Sequence, residues 1–334
     1  MIDNKKLQTI LARYKKPDLK RSTWQIIDSF IPYLISWYLM VLSLSVSFWL
    51  TAALAVPTAG FLIRIFIISH DCGHGSFFKS SKANNFWGMV TGFLALTPYY
   101  QWRHEHAVHH GTAGDLDKDG VGSIWTLTVD EYLKAPAWKK FKYRMYRNPF
   151  ILFTIGALIN FLFVNRFTSG ISTGKDRRSV YLTNLAVVGI AVPLSLLIGI
   201  KEFLLIQLLI MVFASSMGVW LFYLQHQFEG VYWERHEKWD RINAALKGSS
   251  FYKLPKVLQW FSGNIGFHHI HHLSPLIPNY YLEKCHKENI VLQDVKHVTL
   301  LSGFKSFSLR LYDESARKLM GYPPKVSRHA LRKK

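Results

Sequence analysis

The chain is poor in cysteine and in acid, and one long stretch carries no charge. Its 334 residues include 2 Cys, and 21 Asp plus Glu against 41 Lys plus Arg, a formal charge of +20. Two thiols, Cys72 and Cys285, cannot staple a disulfide scaffold, nor ligate a cysteine-rich zinc or iron–sulfur site. Disorder is excluded by a composition that is 49% hydrophobic and 15% aromatic. The positive charge is not a nucleic-acid signature, because it is gathered into segments that flank apolar blocks. From residue 30 to 63, 34 positions pass without a charge, bounded by Asp28 and Arg64. One bilayer-crossing helix needs about 20 residues, so this block reads as two spans, a hairpin over 30–69 with a break near 45–48. It begins too late and runs too long for a signal peptide.

Further blocks at 181–200 and 203–225, separated by Lys201 and Glu202, read as a second hairpin. Two shorter apolar stretches are ambiguous. Residues 86–98 would make a helix of about 20 Å, short of the roughly 30 Å hydrocarbon core. Residues 150–164 lie between basic stretches: Lys134, Lys139, Lys140, Lys142, Arg144 and Arg147 upstream, Arg166, Lys175, Arg177 and Arg178 downstream. Short Lys/Arg-rich loops stay cytoplasmic, which favours a re-entrant or interfacial segment; a true span would make five or six helices. The expected fold is an all-α integral membrane protein with about four transmembrane helices in two hairpins. One or two re-entrant or interfacial helices and a cytoplasmic, histidine-rich cap complete it. The division runs 1–29, cytoplasmic; 30–69, first hairpin; 70–149, cytoplasmic; 150–180, interfacial or re-entrant; 181–225, second hairpin; 226–334, cytoplasmic with a basic tail, disordered over 326–334.

Nine of the 15 His are grouped. His70 and His74 are spaced i, i+4. His106, His109 and His110 are spaced i, i+3, i+4, and His268, His271 and His272 repeat that pattern. Helical residues at these spacings share a face, so each set aims its imidazoles at one point. His226 closes the last apolar block and makes nine. Neutral imidazole is a common metal ligand, and nine suit two ions with four or five each. Asp71 is expected to orient a ligand histidine, and Cys72 to be a packing residue. His104 and His269 lie off the ligand faces and are candidates for supporting roles. Asn264 reads either as a holder of metal-bound water or as part of a Gly263-Asn264 turn. Asp115, Asp117 and Asp119 are either supports or a solvated loop. His236, His286, His297 and His329 are expected at the surface.

The spans beside these histidines are built of Leu, Ile, Phe and Trp, which points to a lipid chain as substrate. An unactivated C–H bond gives acid–base or nucleophilic catalysis nothing to grip, whereas redox-active iron with O2 can attack it. A transporter would place ionisable residues inside the spans, and a zinc hydrolase would carry a glutamate within a His-Glu-x-x-His motif; neither feature is present.

The order His-x-x-x-His, His-x-x-His-His, His-x-x-His-His between paired spans resembles the membrane fatty acid desaturases. The likeness covers roughly residues 25–315. His70-Asp71-Cys72-Gly73-His74-Gly75-Ser76 looks like the first box of the acyl-lipid branch, Tyr223-Leu224-Gln225-His226-Gln227-Phe228-Glu229 like its extra histidine, and Gly263-Asn264-Ile265-Gly266-Phe267-His268 like the approach to the third box in bacterial members. The nearest resemblance is to the Bacillus-type, cold-induced phospholipid desaturases acting at Δ5. It implies a two-iron centre held by His70, His74, His106, His109, His110, His226, His268, His271 and His272 on the cytoplasmic side of the cell membrane. It also implies O2 as co-substrate and an acyl chain in a bent tunnel, with Trp102 a candidate wall residue. Many eukaryotic relatives carry a fused haem domain with a His-Pro-Gly-Gly motif; this chain has none, so electrons are expected from a separate ferredoxin or flavodoxin. A hydroxylase, ketolase or alkane monooxygenase on the same scaffold is the alternative.

Overall fold

The structure, a computed structural model, describes residues 4–118 and 120–323. Asp119, His329 and the 326–334 tail lie outside the described residues. A short helix α1 (Asn4–Ala12) precedes α2 (Leu19–Ser43) and α3 (Phe48–His74), which form the first hairpin. Helices α4 (Ser81–Leu94) and α5 (Tyr99–Thr112) follow, then strand β1 (Leu127–Thr128) and helices α6 (Val129–Lys134) and α7 (Ala137–Tyr146). A π-helical turn (Ile151–Gly156) runs into α8 (Ala157–Leu162). The second hairpin is α9 (Gly174–Ile198) and α10 (Ile200–His226). Beyond it come α11 (Arg241–Leu246), β2 (Phe251–Tyr252), α12 (Lys256–Phe261), α13 (His268–Leu273), α14 (Asn279–Glu288), β3 (His297–Val298), α15 (Leu300–Lys305), β4 (Leu311–Asp313) and β5 (Lys318–Met320).

Four helices, α2, α3, α9 and α10, are long and apolar enough to cross a membrane. The first hairpin turns at residues 44–47, where the Ser47 side chain caps α3 by accepting from Trp49 N. Both of its helices run past the uncharged block, α2 beginning at Leu19 and α3 ending at His74. The bounding charges do not stop them because they neutralise each other: Arg64 pairs with Asp28 at 3.2 Å and lies 4.0 Å over the Trp260 ring. In the second hairpin the break is at Gly199, not at Lys201 and Glu202, which sit in the first turn of α10. Gly199 has φ 97°, a conformation open to glycine. Little of α9 is covered by protein, with Leu196 and Leu197 almost bare, as a lipid-facing helix requires.

The two ambiguous stretches are short. α4 spans 14 residues, about 21 Å, and packs on α3 and α9. The segment Ile151–Arg166 is bent by 72° from α7 and counts as a fifth span only if joined to it. Its bend begins where Asn148 Oδ1 accepts from Phe150 N at 3.0 Å. Two small sheets depart from a wholly helical fold. In one, β4 pairs parallel with β1 and antiparallel with β5; in the other, β2 pairs parallel with β3. They fasten residues 297–320 to the segments that carry the second and third histidine boxes.

Close approach of α4 to the start of α5 depends on Gly88, where a Cβ would stand 2.2 Å from the Tyr99 ring. Tyr99 in turn donates to Cys72 O at 2.9 Å, tying α5 to the last turn of α3. Gly88→Ala is therefore expected to destabilise the protein by about 1–3 kcal/mol, read as a lower thermal midpoint in detergent. Gly189→Ala, with nothing within 4 Å of the new methyl, should leave the midpoint nearly unchanged.

Candidate metal centre

Four helix segments supply the nine histidines. His70 and His74 occupy the last turn of α3 and His226 the last residue of α10, so two packed spans end at one place. α5 crosses with His106, His109 and His110, and α13 brings His268, His271 and His272. α13 is aimed by the turn before it: Gly263 (φ 52°) and Asn264 (φ 57°) are both left-handed. Of the two sequence readings of Asn264, the turn is the observed one. Its side chain bonds Gln259 and the Asn279 carbonyl.

The imidazoles form two groups, each able to hold a metal ion. One is His70, His74, His106 and His271; the other is His109, His226, His268 and His272; within each, the ligand atoms all lie within 4.8 Å. His110 leans toward the first, its Nε2 2.9 Å from His271 Nε2 and 3.1 Å from His106 Nε2, while its ring stacks 4.1 Å from His272. The sets interleave: each draws on the second and third boxes, and the first box and His226 fall to opposite sides.

The contacts are not ordinary hydrogen bonds. His271 Nε2 meets both His70 Nε2 (3.0 Å) and His110 Nε2, and His226 Nε2 meets both His109 Nε2 (3.1 Å) and His268 Nε2 (2.9 Å). A neutral ring nitrogen offers one proton or one lone pair, so one atom cannot serve two such partners. Convergence on an ion explains the geometry. Nitrogens about 2.1 Å from one ion lie about 3.0 Å apart at right angles and about 3.4 Å apart at the tetrahedral angle. The short pairs, at 2.9–3.1 Å, are close to the separation of nitrogens that share one ion. His74 Nε2 and His272 Nε2, one from each group, are buried with no hydrogen-bond partner among the described residues, as ligand atoms would be. The residues present fit two divalent ions.

Outer contacts set the rings. Asp71 Oδ1 sits 2.9 Å from His70 Nδ1, and its Oδ2 accepts from Asn279 N (2.7 Å) and Nδ2 (2.9 Å). His109 Nδ1 meets Ser123 Oγ at 2.9 Å, and His226 Nδ1 faces Gly248 O at 3.3 Å. Asp71 makes the contact expected of it, with the ring nitrogen of His70 that faces away from the cluster. Ser123, Gly248 and Asn279 carry no signal in sequence. His104 and His269 turn away from the groups, His104 to Asp176 (2.9 Å) and His269 to the Leu292 carbonyl (3.0 Å). Asp115 and Asp117 bind His236 and Arg235, tying one loop to another. His286, expected at the surface, is buried against Phe251 and Phe267. Cys72 is buried in packing.

Below the histidines lies a cavity of about 710 Å³ between α3, α10 and the bent Ile151–Arg166 segment. Its walls are mainly apolar, and they include His70, His106 and His268, members of both groups. Trp102 lines it and stacks on His106 with ring centres 4.4 Å apart.

Burial holds His106, His109, His110, His268, His271 and His272 well below the ordinary 6.5, helped by neighbouring imidazoles, and pushes His269 down to about 3. Neutral imidazole is the form that binds metal. In the unfolded chain these groups protonate near 6.5, so below that pH the unfolded state binds more protons and folding stability falls. The metal-free protein should keep a constant thermal midpoint from about pH 8 to 7 and lose stability progressively below about 6.5. A midpoint that rose on acidification would contradict this.

Residues 47–297 match the family model described as "Fatty acid desaturase". A fatty acid desaturase of Bacillus subtilis (strain 168) is 49% identical over 318 residues, covering 95% of this chain and 90% of that protein. An sn-1 oleoyl-lipid 12-desaturase of Picosynechococcus is 29% identical over 67% of this chain and 65% of its own length. An sn-1 acyl-lipid omega-3 desaturase (ferredoxin) of Synechocystis is 27% identical over 66% and 62%. This chain spans just under two thirds of the latter two. The family match runs from the start of the second apolar helix through the third histidine box, and with it the chain belongs to the fatty acid desaturase family, as a multi-pass membrane oxidoreductase.

Proposed function

We propose that the protein introduces a cis double bond, of Δ5 type, into an acyl chain of a membrane phospholipid. The observation that carries this reading is the cavity under the histidines. It is apolar, it runs between membrane helices, and it touches both imidazole groups at once through His70, His106 and His268. An acyl chain threaded there presents adjacent methylenes to both groups.

In this reading His70, His74, His106, His110 and His271 hold one iron, and His109, His226, His268 and His272 the other. When bound, the iron pair supplies the O2-derived oxidizing power that removes one hydrogen from each of two adjacent methylenes. The balance is CH2–CH2 + O2 + 2 e⁻ + 2 H⁺ → CH=CH + 2 H2O. The chain's own residues do the positioning. Trp102, held edge-on by Phe66 at 5.4 Å and stacked on His106, forms a rigid wall against which the methylenes rest. Apolar side chains such as Leu62, Ile63 and Met211 keep water from the reacting carbons. Asp71 fixes His70 through Nδ1, leaving Nε2 for the metal. A cis product requires that the chain be held bent, with its two arms on the same side of the reacting C–C bond, when the two hydrogens leave.

Electrons come from a separate ferredoxin or flavodoxin. The name of the Synechocystis relative includes ferredoxin, and the +20 charge suits an acidic carrier. The excess of Lys and Arg in the stretches flanking the spans supports a cytoplasmic orientation of the histidine side in the cell membrane.

Expression in a host lacking the activity, with mass-spectrometric location of the new double bond, tests the reading. Wild type should yield Δ5 cis-unsaturated phospholipid chains. His70→Ala, His109→Ala and His271→Ala should each reduce product at least about 100-fold with the protein still in the membrane. Hydroxylated chains without new double bonds would contradict the reaction, and near-full activity in two of the variants would contradict the assignment of ligands.

A further inference from the structure

Helix α7 presents an apolar face that no described residue covers. Trp138, Phe141 and Met145, spaced i, i+3, i+7, share one side of the helix, and Trp138 and Phe141 are each 67% exposed. The opposite side is fastened down. Tyr143 is fully buried, donating to the Arg310 carbonyl and accepting from Leu127 N at 3.1 Å. Arg144 donates to the Tyr132 hydroxyl at 2.6 Å and lies 4.7 Å over the Tyr322 ring. Lys140 donates to the Leu133 carbonyl. Lys139 and Lys142 take part in none of the ion pairs among the described residues, and the adjacent Lys134 is matched by Asp130 at 2.6 Å. α7 therefore combines three large apolar side chains on one face with uncompensated positive charge along one flank of that face.

Its place in the fold says what covers it. At Tyr146 the helix ends against the cavity wall, and after the 72° bend the chain enters the apolar Ile151–Arg166 segment. A helix joined this closely to a membrane-embedded segment lies at the bilayer surface. An apolar face rimmed by lysine is the pattern of helices that lie in the interface of an anionic leaflet. We infer that α7 lies in the membrane interface with Trp138, Phe141 and Met145 among the acyl chains, and that Lys139 and Lys142 gather anionic phospholipid headgroups beside the cavity. The inference rests on the membrane-embedded character of the chain and not on the reaction proposed for it.

The test uses the full chain in lipid nanodiscs, with Phe141→Cys carrying an environment-sensitive fluorophore; Cys72 and Cys285 are fully buried and the unsubstituted protein serves as the labelling control. Discs contain phosphatidylcholine and phosphatidylglycerol, and the lipid brominated in its acyl chains is one or the other at equal mole fraction. The expected result is blue-shifted emission, quenched at least about threefold more by brominated phosphatidylglycerol than by brominated phosphatidylcholine. Adding K139E/K142E, at unchanged thermal midpoint, should abolish the preference while leaving the quenching. Water-like emission that neither lipid quenches would overturn the inference and leave this face for a soluble acidic partner. Equal quenching by both lipids in the parent would overturn the selection of anionic headgroups. No outcome depends on desaturation.

Discussion

Nine imidazoles taken out of water and turned toward two points are the constraint on which the rest of the structure depends. Most of these rings are buried, and burial favours their neutral form. A single ring nitrogen that faces two others, as Nε2 of His271 and of His226 does, cannot hydrogen-bond to both. The arrangement suits a pair of cation sites, each able to hold one ion. Carboxylate is sparse around them: among the described residues Asp71 is the one hydrogen-bonded to any of the nine rings, and it is itself held by two donors from Asn279. Ions held there would be met almost wholly by neutral imidazole, which would leave them electron-poor.

The membrane helices serve this geometry. α3 and α10 pack against each other and both end at the cluster, so their apolar sides line the cavity while their last turns carry His70, His74 and His226. The Asp28–Arg64 pair lets α2 and α3 carry charge near the cap without exposing it to lipid. Asp176, at the start of α9, holds His104 and closes its own capping box, which braces α5 from the side opposite the ligands. Position at the metal centre is thus set by helices that cannot shift without breaking buried polar contacts.

Much of this was legible in the sequence, for definable reasons. Spacings of i, i+3 and i+4 put the clustered histidines on common faces, and an uncharged run of 34 residues marks a hairpin. The division of the nine into two sets was not legible, because it depends on how α13 is swung by the left-handed pair Gly263 and Asn264 toward α5. Ser123, Gly248 and Asn279 act through a hydroxyl, a carbonyl and amide groups of kinds that every loop carries, so no pattern announces them. Lys201 and Glu202 drew the boundary of the second hairpin by their charge, yet the chain turns at Gly199, where backbone freedom and not polarity decides. Strands of two or three residues are too short to show an alternating pattern, which is why the two small sheets went unforeseen. His286 is buried by aromatic neighbours distant in sequence, Phe251 and Phe267.

The central claim is that the two histidine groups each hold one iron. Elemental analysis of the purified protein by mass spectrometry measures it directly. Two groups predict two iron ions per chain, and His226→Ala, which touches only the second group, should retain about one while the first group stays filled. A wild-type content of a single ion per chain, or zinc in place of iron, would contradict the account.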